Sequence, residues 1–413
     1  MAEVAILGYG TVGSGVFCVL NKNAGIIEEN TGEKINIKYV LDIRDFPKDD
    51  PVAPFLTKDF DRILNDDSVE VIAEVMGGIE PAYSYTKAAL LRGKSVVTSN
   101  KELVAAHGAE LIAIAREKNT NYFFEASVGG GIPVIRPMIS SLTAEGITDI
   151  SGILNGTTNY ILSRMEASGS DFEAMLQEAQ DMGYAERNPA ADIEGRDACR
   201  KIAILSSLAG GKTVDYRKVH TEGITHISKT DILYAKKLGC VIKLLGRSEI
   251  TDAGTCAIVA PYLVPTSHPL AVVSDVFNGI FVKGNMVGET MYYGKGAGKL
   301  PTASAVCADI IDAVKHRDKN IVIHWCDKEE KMLPFDDYGV RAFIRLSSDD
   351  ISGLKEKSLK VFEGSRAIEP PAEGKEIGIV TGLETEGSLN KKLGDLKNEL
   401  SSVKVLNIIR MEG

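Results

Sequence analysis

The chain has 413 residues, 44% of them hydrophobic and 25% charged, which suits a sizeable core spread over roughly two or three globular domains. A formal charge of −10 and a pI near 5.3, with no Lys/Arg run, exclude a general binder of nucleic acid or of anionic membranes. Six cysteines (Cys18, Cys199, Cys240, Cys256, Cys307, Cys326) lack CxxC spacing, and no apolar run nears the ~20 residues of a membrane span, so neither a disulfide framework, a zinc site nor a bilayer segment is signalled and a cytoplasmic setting is expected.

Val4 to Leu7 reads as a short buried strand, followed at once by Gly8-Tyr9-Gly10-Thr11-Val12-Gly13 and an apolar helix through Leu20. This is GxGxxG in the setting it needs. Gly8 permits the tight turn, Gly10 lets a pyrophosphate approach the backbone, and Gly13 lets the helix pack closely on the strand. The next strand, Ile35 to Leu41, ends at Asp42-Ile43-Arg44-Asp45. An acid there accepts from ribose hydroxyls and favours NAD, whereas an arginine holds the 2′-phosphate of NADP, so both cofactors stay open.

Strands at Val69 to Val75 and Ser95 to Thr98 alternate with helical runs such as Ala82 to Arg92, the βα rhythm of a doubly wound parallel sheet. Ligands of such sheets lie off the carboxyl ends of the strands, which makes Lys101, after Thr98-Ser99-Asn100, a functional candidate; its alternative is a first-turn surface lysine behind an Asn100 cap. Asn121 to Glu125 leads as a further strand into Ser127-Val128-Gly129-Gly130-Gly131-Ile132-Pro133, a turn able to line a ligand or a monovalent cation or simply to reverse the chain.

From about Pro133 the character changes. A strand, Asp149 to Leu154, opens into Asn155-Gly156-Thr157-Thr158-Asn159, which either binds polar ligand atoms or caps the following helix, Tyr160 to Met165, through Thr158 or Asn159. Then comes AQDMGYAERNPAADIEGRDACRK, residues 179 to 201, which holds Glu186, Asp192, Glu194 and Asp197 and closes on Lys201. The segment reads as loop to about Arg196 and then as helix. At about 100° per residue Asp197 and Lys201 fall about 40° apart at the edge of its apolar stripe. Burial lowers the pKa of such a lysine and the carboxylate raises it, so the pair is either a tuned proton donor or a plain i, i+4 ion pair. An acidic loop upstream suits recognition of an amino group. Runs at Gly254 to Val264 and Gly279 to Val287 read as strands, and the glycine-rich Tyr293 to Gly298 precedes a helix, Thr302 to Val314, that should return to the first domain. The last residues read strand, helix, strand, helix, strand over Val340 to Leu346, Ile351 to Phe362, Glu376 to Gly382, Ser388 to Leu400 and Lys404 to Met411, with a short extra strand at Ala367-Ile368.

The spacing from Ala179 through Gly183, Asn188-Pro189, Asp192-Ile193, Gly195 and Asp197 to Lys201 resembles the signature of the homoserine dehydrogenase family. GYGTVGSGV, TSNKELVA, FEASVGGGIP, GILNGTTNYIL and YGKGAGKLPTASAV are similar to runs of that family as well, so the resemblance covers about residues 2 to 325. It implies NAD(P)-dependent interconversion of L-homoserine and L-aspartate 4-semialdehyde, with Lys201 as proton donor and acceptor and Lys101 as its partner. Glu186, Asp192 and Asp197 would hold the amino acid, with Asn155 and Thr157 beside them; Gly183 and Gly298 would join Gly8, Gly10, Thr11, Val12, Gly13, Asp42 and Arg44 at the cofactor. A monovalent cation such as Na+ would sit on Glu125 and the carbonyls of Val128, Gly130 and Ile132. The expected architecture is α/β: a Rossmann-type domain over 1–132 completed by a helix over 302–325, an α+β substrate and dimerisation domain over 133–301, and a βαββαβ, ACT-like regulatory domain over 333–413. Such tails go with feedback by threonine, although Asp349-Asp350-Ile351-Ser352-Gly353-Leu354 has no proline where the family's ligand turn has one, and the tail alternatively serves oligomerisation alone, in a homodimer or homotetramer. Two other readings are an aspartate-semialdehyde dehydrogenase, which needs a thiolate for which Cys199 points the wrong way, and a dinucleotide sensor without chemistry.

Overall fold

The computed structural model describes residues 1–371, 374–400 and 402–412. Its contacts group the chain into two units, Met1–Thr148 with Ala203–Arg217 and Val282–Glu330, and Asp149–Ile202 with Lys218–Phe281 and Lys331–Gly413. Residues 333–413, expected as a domain of their own, thus fall within the unit that also holds the segments around the acidic loop.

The first unit holds six parallel strands, β1 (Ala2–Leu7), β2 (Ile35–Leu41), β3 (Leu56–Thr57), β4 (Val69–Glu74), β5 (Ser95–Thr98) and β6 (Tyr122–Phe123), in the order β3-β2-β1-β4-β5-β6. Helices α1 (Thr11–Lys22), α2 (Ala24–Thr31), α3 (Phe60–Leu64), α4 (Ala82–Leu91) and α5 (Lys101–Glu117) connect them. The strands are short apolar runs because helices cover both faces: Ala5, Ile6, Leu7, Ile72, Val96 and Val97 are all fully buried. Strand order reverses between β1 and β4, which fixes the ligand crevice at the carboxyl ends of those two strands. The long stretch before β2 is explained by α2, which ends on Gly32 in the left-handed region.

The expected helix over 302–325 runs instead from Lys299 to Lys315. It packs on α1 at Gly15, where a Cβ would stand 2.8 Å from that of Ala303. Beyond it the chain turns over 316–319, where the Asn121 amide donates to the carbonyls of His316 and Lys319, and farther on the buried Trp325 ring lies against Gly108 with its N–H on Thr213 at 3.0 Å. The run expected as one strand over 279–287 is two, Phe277–Gly284 and Gly288–Lys295, joined by a turn whose amides at Met286 and Val287 are accepted by Glu145.

In the second unit the strand Ile147–Ile153 pairs antiparallel with Cys240–Thr251, which pairs in turn over its whole length with Gly254–Pro265. Cys240–Thr251 has no counterpart among the expected elements, because the mid-strand Lys243 and Gly246 interrupt its apolar run. Gly246 is needed there: a Cβ would lie 2.8 Å from Leu154 and 3.2 Å from Ile202, so the strand passes directly beneath the helix that carries Lys201. The sheet continues through Lys404–Met411, Ala342–Ser347, Glu376–Val380 and Arg366–Ile368. With helices Ile351–Val361 and Glu386–Glu399 this is the expected βαββαβ order, and Tyr262 and Leu263 accept its last strand as a parallel neighbour at Arg410 and Met411. No helix among the described residues is long and apolar enough to cross a membrane.

Candidate active site

The glycine-rich turn has the expected form. Gly8 lies at φ +97° with Met76 Cγ 3.0 Å from where a Cβ would be, and a Cβ on Gly13 would overlap the Gly8 carbonyl oxygen, so both positions require glycine. Gly10 faces open space and precedes Thr11, the first residue of α1, whose N-terminus carries no side-chain cap; Val12 follows half-buried. Uncapped amides and a bare backbone fit a pyrophosphate. At the end of β2, Asp42 is occupied: its Oδ2 accepts from Tyr9 N–H at 2.8 Å and Arg44 Nη2 at 2.8 Å, and its Oδ1 from Arg44 N–H and Nε at 2.9 Å. The Arg44 guanidinium holds this carboxyl far below the ordinary range against the opposing effect of burial. Arg44 itself keeps 56% of its side chain exposed and lies over the Phe46 ring.

At the end of β5, Asn100 caps α5 by accepting from Leu103 N–H at 3.1 Å, which leaves Lys101 half-exposed at the first helical position. The triple-glycine turn packs on the loop that ends at Gly298: Gly131 N–H donates to Lys295 O at 3.2 Å and its α-carbon faces Pro301, while Gly298 is the N-cap residue of the helix Lys299–Lys315. Val128, Gly130 and Ile132 are buried in this turn. The Glu125 side chain, expected among the cation ligands, also fixes the chain after the turn: its oxygens accept from the backbone N–H groups of Val134, Ile135 and Arg136 at 2.6–2.9 Å. Below it, Asp309 accepts from Glu125 N–H and from Arg136, and burial pushes its carboxyl up to about 8.

In the second unit the signature residues converge. The helix Arg196–Gly210 begins where Gly195 turns, and Asp197 and Lys201 face the same way one turn apart. Lys201, 8% exposed, donates to Leu154 O at 2.8 Å and pairs with Asp197 Oδ2 at 2.8 Å, and Asp197 is 3% exposed. Asn155 joins them: its Nδ2 donates to Asp192 Oδ1 at 2.7 Å and Asp197 Oδ2 at 2.9 Å. Its Oδ1 accepts from Thr158 N–H, so Asn155, rather than Thr158 or Asn159, caps the helix, which spans Gly156–Ser168. The loop's position is set farther down this helix, where Asn159 accepts from the buried Lys243 at 3.1 Å and donates to the carbonyls of Val273 and Phe277.

Two expected residues stand apart from this cluster. Thr157 spends its hydroxyl on Tyr184 O at 2.7 Å, and Glu186 is exposed on the loop after the helix Phe172–Asp181, where Gly183 is the exposed turn residue. Cys199 is buried in its helix, which leaves the thiolate reading without support. The Leu154 carbonyl and a buried Glu74 at the end of β4 were not singled out from sequence. A backbone acceptor leaves no trace in residue identity, but a glutamate closing an apolar strand was a usable signal.

A parallel sheet of this order with its glycine turn is that of the dinucleotide-dependent oxidoreductases. Two family models match the chain, "Homoserine dehydrogenase, NAD binding domain" over residues 8–125 and "Homoserine dehydrogenase" over 133–311. A homoserine dehydrogenase of Bacillus subtilis is 38% identical across all of this chain and 98% of its own, and one of Pseudomonas aeruginosa is 43% identical over 85% and 83%. The crystal structure of a homoserine dehydrogenase from Thiobacillus denitrificans superposes with a TM-score of 0.91 at 34% identity, covering 100% of this chain and 98% of that one. A hyperthermophilic archaeal homoserine dehydrogenase in complex with NADPH covers 76% of this chain and 97% of its own, with a TM-score of 0.64 at 28% identity. The chain belongs to the homoserine dehydrogenase family.

Proposed function

We propose that the chain is an NAD(P)-dependent homoserine dehydrogenase, interconverting L-homoserine and L-aspartate 4-semialdehyde in threonine and methionine biosynthesis, with Lys201 moving the proton. The observation that carries this reading is the hydrogen-bonded set of the buried Lys201, Asp197 and Asn155 with the half-buried Asp192, a geometry suited to an amino-acid substrate with a reacting oxygen. The nicotinamide supplies the hydride chemistry. Asp192 and Asp197, aligned by the Asn155 amide, receive the substrate ammonium, with Glu186 approaching from the solvent side. In oxidation the hydroxyl proton passes to the Lys201 amine as hydride leaves the same carbon; in reduction the Lys201 ammonium returns it to the forming alkoxide, and Lys101 assists at that oxygen.

NADP is the preferred cofactor on this account. Asp42 already has donors on both oxygens, and an exposed arginine at that edge suits a 2′-phosphate. A monovalent cation would take Glu125 and the carbonyls of Val128, Gly130 and Ile132. The C-terminal segment would serve a homodimer or homotetramer and receive threonine as regulator. Initial rates of purified protein with homoserine, comparing NADP with NAD and with or without threonine, test all of this. Homoserine-dependent reduction with NADP at least tenfold ahead in kcat/KM is expected; no homoserine-dependent reduction overturns the function, and a preference for NAD overturns the role of Arg44 alone.

A further inference from the structure

Glu74 ends β4 in full burial, although an apolar residue would satisfy the sheet at that position. It stands in register with Leu7 of β1 on one side and Thr98 of β5 on the other, so three neighbouring strands end level at the crevice. Its Oε1 accepts from Met76 N–H at 2.8 Å, which sets the turn after β4, and Met76 in turn lies against Gly8 of the glycine-rich loop. Its Oε2 accepts from the Thr98 hydroxyl at 2.6 Å, and Thr98 Oγ1 itself accepts from Asn100 N–H at 2.9 Å. Asn100 closes the ring by donating its amide to Gly78 O at 2.5 Å while capping the helix that starts with Lys101. Burial pushes the Glu74 carboxyl up, and the donors of Thr98, Met76, Gly77 and Asn100 oppose that.

We infer that Glu74 is a positioning residue for hydride transfer: its carboxylate clamps the turn after β4 to the turn after β5, so that the Gly8 loop and Lys101 meet the nicotinamide half of the cofactor in a fixed relation. This rests on the function proposed above. A neutral amide does not reproduce the carboxylate, because Glu74 accepts on both oxygens and Glu74→Gln keeps one: either an N–H group is set against Met76 N–H, or the Thr98 hydroxyl must turn its proton away and lose that acceptor.

The test compares Glu74→Gln, Thr98→Val and Thr98→Ser in the full chain by steady-state kinetics, by titration with reduced cofactor and by thermal melting. For Glu74→Gln and Thr98→Val, kcat falls tenfold or more, the Kd for reduced cofactor stays within threefold at one cofactor per chain, and homoserine KM stays within threefold. Thr98→Ser, which keeps the hydroxyl, recovers most of kcat. Wild-type kcat in Glu74→Gln overturns the assignment, as does a loss matched by a falling fraction of cofactor-binding chains, which marks a merely structural role. If Glu74→Gln does not fold, the Thr98 pair decides: equal losses in Val and Ser overturn it. Lys101→Ala is measured in parallel; wild-type turnover there defeats the role of that lysine and leaves the Glu74 clamp to be judged on its own variants.

Discussion

Asn155 does two jobs with one amide. Its oxygen caps a helix and its nitrogen spans Asp192 and Asp197, so the loop that enters the helix and the two carboxylates proposed to receive the substrate ammonium are fixed by the same side chain. Helix capping is worth about 1 kcal/mol, whereas an NH2 group that donates to both carboxylates sets their separation. The two roles can be pulled apart. Asn155→Ser keeps a capping oxygen and loses the amide donors, and it is expected to lower kcat/KM for homoserine tenfold or more with little change in melting temperature; Asn155→Ala should lose the same activity and further stability. Wild-type kcat/KM in the serine variant would show that the amide does not hold the carboxylates. From sequence, Asp197 and Lys201 were legible as a pair because helical spacing alone brings them together. The Leu154 carbonyl and the Asn155 bridge were not, because both reach the pair from residues far away along the chain.

The elements repeat this division. Five of the six parallel strands of the first unit are mainly apolar runs and were readable, whereas β3, two residues long, was not. Nor was Cys240–Thr251, because Lys243 stands in it at 1% exposure, donating to Asn159 and to Val273 O at 2.6 Å. Burial lowers its ammonium to about 8 from the ordinary 10.5. The sign follows by linkage. Between those values the unfolded chain carries the proton and the folded chain does not, so folding stability should rise as pH increases from about 8 to 10.5, by up to about 3 kcal/mol from this group. Below pH 8 both states are protonated and the cost is constant. Chemical denaturation of wild type and Lys243→Met across that range checks it: the difference between the two curves should narrow or reverse in favour of wild type at the alkaline end. A difference independent of pH would mean that Lys243 does not titrate in this window.

At the scale of the whole molecule, the C-terminal segment reads in sequence as a βαββαβ domain over 333–413, and its last strand also continues the sheet of the second unit. Its order of elements was legible from alternating apolar runs, but its partners were not. Arg410, 4% exposed on the last strand, reaches Glu222 with two bonds of 2.8 Å and Glu386 at 2.5 Å, and the same strand extends the sheet beside Tyr262 and Leu263. Burial pushes the Glu222 carboxyl up, but His220 and Arg410 outweigh it and hold it at about 2. A chain ending at Glu330 would bare the buried Tyr262–Leu263 end of its strand and leave Glu222 without Arg410, so it should melt at least 10 °C lower or be recovered as aggregate. A soluble truncation with the wild-type melting temperature would restore the modular view.

The central claim is that one buried lysine handles the proton of a homoserine–semialdehyde couple. Its most direct test is the homoserine-dependent formation of reduced nicotinamide by wild type and by Lys201→Ala, with folding followed by circular dichroism. The account predicts turnover in the wild type and a fall of about 10²–10⁴ in kcat in a variant that still folds. Near wild-type turnover in folded Lys201→Ala would contradict it.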